Sequence, residues 1–231
     1  MTIPLNHEKL KTKLKSLERS HVESFYIRLH RAISWQRAAT ENKDNQDFQI
    51  IAYWISLNSC YAISWDVDRA AESSKLTEFF EKIINVDKEG KIYELFWTEF
   101  PGVIRVLLNN QFIYKRYWLF QRGEVSSWKA EFEKDNHRAL MLLQNPNRSV
   151  ELIQLVMRRL YQMRNQLIHG GATYQSRVNR DQVRDSANLL GKLIPLIIEI
   201  MIDNPDEAWG DIYYPVVNAR TDAKWSHKNN I

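Results

Sequence analysis

The sequence predicts an all-α protein, and three observations carry that reading. Glycine and proline number only 7 and 6 in 231 residues, about half of what average usage of roughly 7% and 5% would give. Folds rich in β-turns spend those residues freely, as do collagen-like, linker-like and disordered chains. Apolar side chains also recur at spacings of three and four along most of the chain, the period of an amphipathic helix. Finally, with 44% hydrophobic residues the chain can bury a sizeable core, and it reads as a single domain with appendages.

Taken in order, Leu10, Leu14, Leu17, Phe25, Leu29 and Ile33 lie on one stripe and predict a first long helix ending near Ala39. The polar run TENKDNQD over 40–47 interrupts it. A second helix follows, with Ile51, Trp54, Ile55, Asn58, Tyr61, Ile63 and Trp65; it is apolar nearly all round and therefore central. Shorter helices are predicted over 75–86, 92–100 and 103–119, broken at Lys88-Glu89-Gly90 and Pro101-Gly102. Another runs over 127–143 and stops before the turn signal Asn145-Pro146-Asn147. Ser149 then serves as the N-cap of a helix that Gly170-Gly171 ends, with Glu151 in its first turn, where a negative charge suits the dipole. The last helix spans 181–202 and contains Pro195, which predicts a kink or a local break. The tail from about 203 to 231 has no helical period and reads as an irregular arm that packs on the body through residues such as Trp209, Tyr213, Tyr214 and Trp225.

A single cysteine, Cys60, rules out an internal disulfide and any cysteine-rich zinc site, so a reducing, cytoplasmic setting is expected. Neither a signal-type apolar segment nor a stretch approaching eighteen apolar residues occurs, so no membrane association is expected. Phosphate-cradling glycine loops, nucleophile elbows and metal-binding histidine pairs are missing from the sequence. His7, His21, His30, His137 and His227 have no ligand-like spacing, so neither metal nor cofactor is implied. Cys60 lies in the most apolar helix and reads as a small core residue.

One segment combines chemistry with position. In Tyr161-Gln-Met-Arg164-Asn165-Gln-Leu-Ile-His169-Gly170-Gly171, three polar groups occupy the last two turns of a mostly apolar helix. Asn165 and His169 are four apart and share a face, which lets the amide meet the imidazole. Arg164 lies about 140° round the helix from His169, but its long arm can swing into the same cleft. His169 closes the helix, where carbonyls and the negative end of the dipole favour a cation, and imidazole changes charge near neutral pH. Those are the properties of a general acid or base. A guanidinium beside it suits two-pronged binding of a phosphate.

Arg164, Asn165 and His169 resemble the hallmark of the HEPN family: Arg, then a polar residue that is commonly Asn, Asp or His, then His after four to six positions near the end of a long helix. The preceding Tyr161 and the following Gly170-Gly171 resemble the Apea-like members. The resemblance implies a helical bundle in which two protomers bring both motif helices to one cleft, with residues from about 72 to 145 as a larger helical insertion than the minimal four-helix bundle needs. It implies a metal-independent endoribonuclease in which the RNA 2′-hydroxyl attacks the adjacent phosphate, with catalytic residues Arg164, Asn165 and His169. His169 would be the acid–base residue or the hydrogen-bond donor to the leaving group, Arg164 would stabilise the charge on the phosphoryl oxygens, and Asn165 would orient His169 or the phosphate. The setting it implies is a toxin or phage-defence effector with RNA as partner, a homodimer, and an antitoxin or other regulator; the alternative within the family is a catalytically silent module that binds RNA or a nucleotide. One departure concerns the regulator. Toxins paired with a minimal nucleotidyltransferase often carry Tyr two residues after the His, where this chain has Gly171.

Charge is the remaining signal. The net +4 comes from 32 Lys and Arg against 28 Asp and Glu. Between Arg148 and Arg184 there are seven arginines, no lysine and two acids, so this stretch is +5 and the remaining 194 residues sum to −1. Arg158, Arg159, Arg177 and Arg180 are accordingly expected to bind RNA beside the motif, with Arg158 and Arg159 the two that could instead serve structure. Tyr114-Lys115-Arg116-Tyr117-Trp118 with Arg122 mixes aromatic and basic residues, as single-strand binders do, although a helix with one packed aromatic face gives the same letters. Lys9, Lys11, Lys13 and Lys15 read as a solvated face.

Overall fold

Asn6 opens α1 (His7–Ser16) by accepting the Lys9 amide at 3.0 Å, and Leu17, in extended backbone, closes it. A computed structural model describes residues 5–17, 23–61, 69–145, 149–212 and 214–216, without the side chains of 69–73. The predicted first long helix is therefore two: α1 and α2 (Glu23–Glu41). The apolar stripe continues across both because each docks on the same core, not because the backbone is continuous.

After the polar turn, Asn45 caps α3 (Gln46–Tyr61) by accepting the Phe48 amide at 3.1 Å. Ile50, Trp54, Leu57 and Cys60 are buried along it, and α2, α4, α9 and α10 all pack against it. This central helix agrees with its all-round apolar sequence; Ile63 and Trp65 lie outside the described residues. Burial pushes the Cys60 thiol up to about 12, as befits an inert core group.

The chain continues through α4 (Arg69–Val86), a short α5 (Lys91–Tyr93) that widens into a π-helical turn (Glu94–Glu99), α6 (Pro101–Leu108), a 3-10 turn (Gln111–Ile113), α7 (Lys115–Gln121) and α8 (Lys129–Leu143). The single helix expected over 103–119 is divided because Asn110 turns its side-chain oxygen back to the Phe112 amide at 2.8 Å, which favours a tight turn over another helical one. The expected turn after α8 lies outside the described residues beyond Asn145. Two long helices end the bundle, α9 (Ser149–Ile168) and α10 (Arg180–Asp203). Pro195 lies within α10 without interrupting it. Gly191 lets α10 approach α3 closely, since a Cβ there would stand 3.0 Å from the Tyr53 hydroxyl.

Among the described residues the architecture is all-α with no strand, and no helix is long and apolar enough to cross a membrane. One apolar cluster runs through it, joining α1, α2, α3 and α10 to Phe80 and Ile83 of α4, Leu95 and Phe96 of the π-turn, Ile104 and Leu107 of α6, and Leu152, Val156 and Leu160 of α9. The segment from 72 to 145 thus forms a wall for α9 through α4, α6 and α8.

The arm after α10 is irregular and docks through Trp209, whereas Tyr214, also expected to pack on the body, is exposed. Trp209 is buried and donates its indole N–H to the Asn204 carbonyl at 2.9 Å. Buried Arg28 donates to the carbonyls of Cys60 (2.7 Å), Gly210 (3.1 Å) and Asp211 (3.0 Å), tying the arm to the end of α3. Tyr213 and Trp225 lie outside the described residues. Lys13 departs from a solvated face: it bridges to Asp203 (2.6 Å) and Glu199 (3.3 Å) of α10, and Lys91 reaches Glu199 from the other side at 2.9 Å.

Candidate functional site

The C-terminal two turns of α9 hold the three motif residues, and the helix stops because Gly170 takes a left-handed conformation at φ +69°, which glycine adopts without steric cost. Arg164 and Asn165 are half-buried and His169 is exposed at the terminus. The Arg164 guanidinium donates from Nη1 to the Asn165 Oδ1 at 2.9 Å and lies 5.7 Å over the ring of Tyr161, which in turn packs 5.7 Å from Trp54. Its Nε is buried and, among the described residues, has no partner. The Asn165 amide therefore serves the arginine, where the spacing had suggested the histidine; the link from residue 165 to His169 is the helical one, carbonyl to amide at 3.0 Å. Arg164, Asn165 and His169 thus share the last two turns of α9, with His169 the exposed member.

The loop after the motif is built on a residue that sequence reasoning missed. Asp47 sits in the first turn of α3, with its side chain 7% exposed. Its carboxylate accepts the Gln175 amide at 2.8 Å and a two-pronged pair from Arg180 at 2.9 and 3.1 Å. Gln175 has φ +52°, a left-handed position that costs a non-glycine residue about 1 kcal/mol; the Asp47 contact holds it there. Arg180 also donates to the Ser176 carbonyl at 3.0 Å, and Tyr174 accepts from Asn45 at 2.9 Å. The loop from His169 to α10 is thus pinned to the start of α3, beside a cavity of about 220 Å³ that Arg177 and Arg180 line. Asp47 closes the polar run TENKDNQD; its only sequence signal is a carboxylate in a helix's first turn, which more often faces water.

The four arginines expected to contact RNA separate sharply. Arg158 and Arg177 are exposed and, among the described residues, make no ion pair. Arg180 commits its fork to Asp47 and orders the loop. Arg159 is a correction: it is 4% exposed, donates to the Leu108 carbonyl at 3.2 Å, and stands 4.3 Å over Tyr114 and 5.4 Å from Phe132. Burial, opposed by Asp135 and Tyr114, lowers its pKa to about 10. A guanidinium enclosed by two rings holds α9 to α6 and α8 and presents nothing to a polyanion. The segmental +5 shrinks where acids from outside the stretch reach in: Asp47 of α3 pairs with Arg180 at 2.9 Å and Asp185 binds Arg184 at 3.3 Å.

The aromatic and basic run over 114–118 is mostly packing. Tyr114 is buried against Phe132 (5.1 Å), Tyr117 meets Phe112 and Trp128 edge-on, and Arg116 bonds Ser127 and Glu131. Among the described residues no cluster of three or more His, Cys, Asp or Glu is placed to hold a metal ion. No protein-family model matches the chain, and no curated protein or solved structure is found to be similar to it.

Proposed function

We propose that this chain is a HEPN-type, metal-independent endoribonuclease that acts as a homodimer, as a toxin or phage-defence effector. The observation that carries the proposal is Arg164-Asn165 followed by His169 at the open, glycine-terminated end of a long helix within an all-helical bundle. Exposure of His169 supports it, because a proton donor must reach substrate.

In this reading the RNA 2′-hydroxyl gives its proton to solvent water and attacks the adjacent phosphorus, the bond to the 5′ oxygen breaks, and a cyclic phosphate and a 5′-hydroxyl result. His169 gives its proton to the departing oxygen. Arg164 stabilises the charge that develops on the phosphoryl oxygens, and Asn165 holds Arg164. Arg158 and Arg177 supply the electrostatic attraction, so affinity falls as salt rises. In the dimer the ends of both α9 helices share one cleft.

The test is cleavage of single-stranded RNA with chelator present. Wild type should cut and leave cyclic-phosphate ends. His169→Ala should lose at least about 100-fold in rate while keeping its helical circular dichroism; equal cutting by that variant would end the proposal. One observation favours a second reading, a silent RNA- or nucleotide-binding module: Arg164 is engaged by Asn165 and the Tyr161 ring in the protein as it stands. RNA binding by the wild type without any cleavage would select it.

A further inference from the structure

A second recess lies on the insertion side of α9, between the 3-10 turn and α8. It has a volume of about 400 Å³ and is lined by Asn109, Gln111, Trp128, Phe132 and Asn136, among others, a size in the range of small-ligand sites. Its aromatic wall is fixed: Trp128 packs edge-on against Tyr117 at 5.1 Å and against Phe132 at 5.5 Å. Its carboxamide rim is fixed too, since Asn136 Nδ2 donates to Asn109 Oδ1 at 3.0 Å. An aromatic face beside amides is the combination that recognises a nucleobase, by stacking on the ring and hydrogen-bonding to its edge. Lys129 and Glu133, also on the wall, carry opposite charges, so the recess suits a neutral base better than a phosphate.

The recess is coupled to the motif helix. Gln111 begins the 3-10 turn, and the carbonyl of the next residue, Phe112, accepts the Gln166 side chain of α9 at 2.6 Å and the Trp118 indole at 2.8 Å. Gln166 precedes His169 by three positions and so lies on its side of the helix, about 160° round from Arg164. The turn that forms one wall of the recess is thereby anchored one helical turn from His169.

We propose that this recess is a base-binding subsite for unpaired RNA whose backbone crosses the end of α9, with Trp128 as the stacking platform and Asn109 and Gln111 as the groups that select the base. The assignment rests on the endoribonuclease reading and adds its substrate class, single-stranded RNA with a preferred base near the cut. An RNA duplex, with its bases stacked and paired, cannot enter.

The experiment compares cleavage of a mixed-sequence single-stranded RNA, and of the same strand annealed to its complement, by wild type, Trp128→Ala, Trp128→Phe and the double variant Asn109→Ala with Gln111→Ala. Wild type should cut the single strand and spare the duplex. Trp128→Ala should raise KM about tenfold, the usual scale of one stacked base, with kcat little changed, and Trp128→Phe should recover most of it. The rim double variant should cut at more sites, having lost its base preference; it lies outside the core, so it also decides the matter if Trp128→Ala does not fold. Unchanged KM and unchanged cut sites in the rim variant overturn the subsite while the endoribonuclease reading stands, and equal cutting of the duplex does the same. A wild type that cuts no RNA overturns both.

Discussion

Arg159 and Arg164 lie five residues apart on α9 and meet opposite surroundings. The middle of the helix is enclosed by α3, α4, α6 and α8, and Arg159 is caged there between Tyr114 and Phe132. The end of the helix opens to solvent, with Arg164 beside Asn165 and His169 exposed. One side-chain type thus serves packing in one place and a candidate site about one and a half turns later. The determining quantity is which segments cover the helix, which cannot be inferred from the identity of the residue.

Mutations can break or sharpen that contrast. The largest effect should come from Asp47→Ala, which leaves Arg180 and the Gln175 amide without their carboxylate. Loss of a buried ion-pair partner costs about 3 kcal/mol, readable by chemical denaturation, and amide exchange should rise over 172–179 with little change in α2. If that loop stays protected, the open end of α9 does not depend on α3. Arg159→Ala should cost about 2 kcal/mol through the lost ring contacts and the cavity left behind, whereas its neighbour Arg158→Ala should stay within about 0.5 kcal/mol. Equal effects from the two would erase the contrast.

Glu199 on α10 provides an intermediate, half-buried case. Burial opposes its ionisation, but Lys91 and Lys13 outweigh it and hold its carboxyl below the ordinary value. Its contribution is therefore present above the unfolded carboxylate range and lost as pH falls through the lowered value. Glu199→Gln should cost about 1 kcal/mol at pH 7, and the difference from wild type should vanish in acid melts. Arg164→Ala, which loses the Asn165 bond and the contact with the Tyr161 ring, should change stability by no more than about 1 kcal/mol while abolishing cleavage; a loss as large as that of Arg159→Ala would assign it to structure.

Much of the fold was legible because helical periodicity is local. The central α3, the long α9 and α10, and the stop at Gly170 follow from spacing and turn chemistry that neighbouring residues carry. The stripe through Leu17 and Phe25 misled for the same reason, since two helices docked on one core repeat the period that one helix would. The break at Asn110 escaped because a side chain that turns back on its own backbone looks like any polar residue in a helical window. Of the site, the position of Arg164, Asn165 and His169 at a helix end was legible, but Asp47 was not, being 133 residues from the arginine it binds.

The sequence alone determined the helical class, the apolar faces and the grouping of Arg, Asn and His at one terminus, because those depend on covalent spacing and rotation per residue. Only the tertiary structure decided which arginines are enclosed, that Asp47 holds the loop after the motif, and that the 3-10 turn joins a recess to α9. Burial and ion pairing arise when distant segments meet, and the energy of a charge depends on that surrounding medium far more than on its neighbours along the chain.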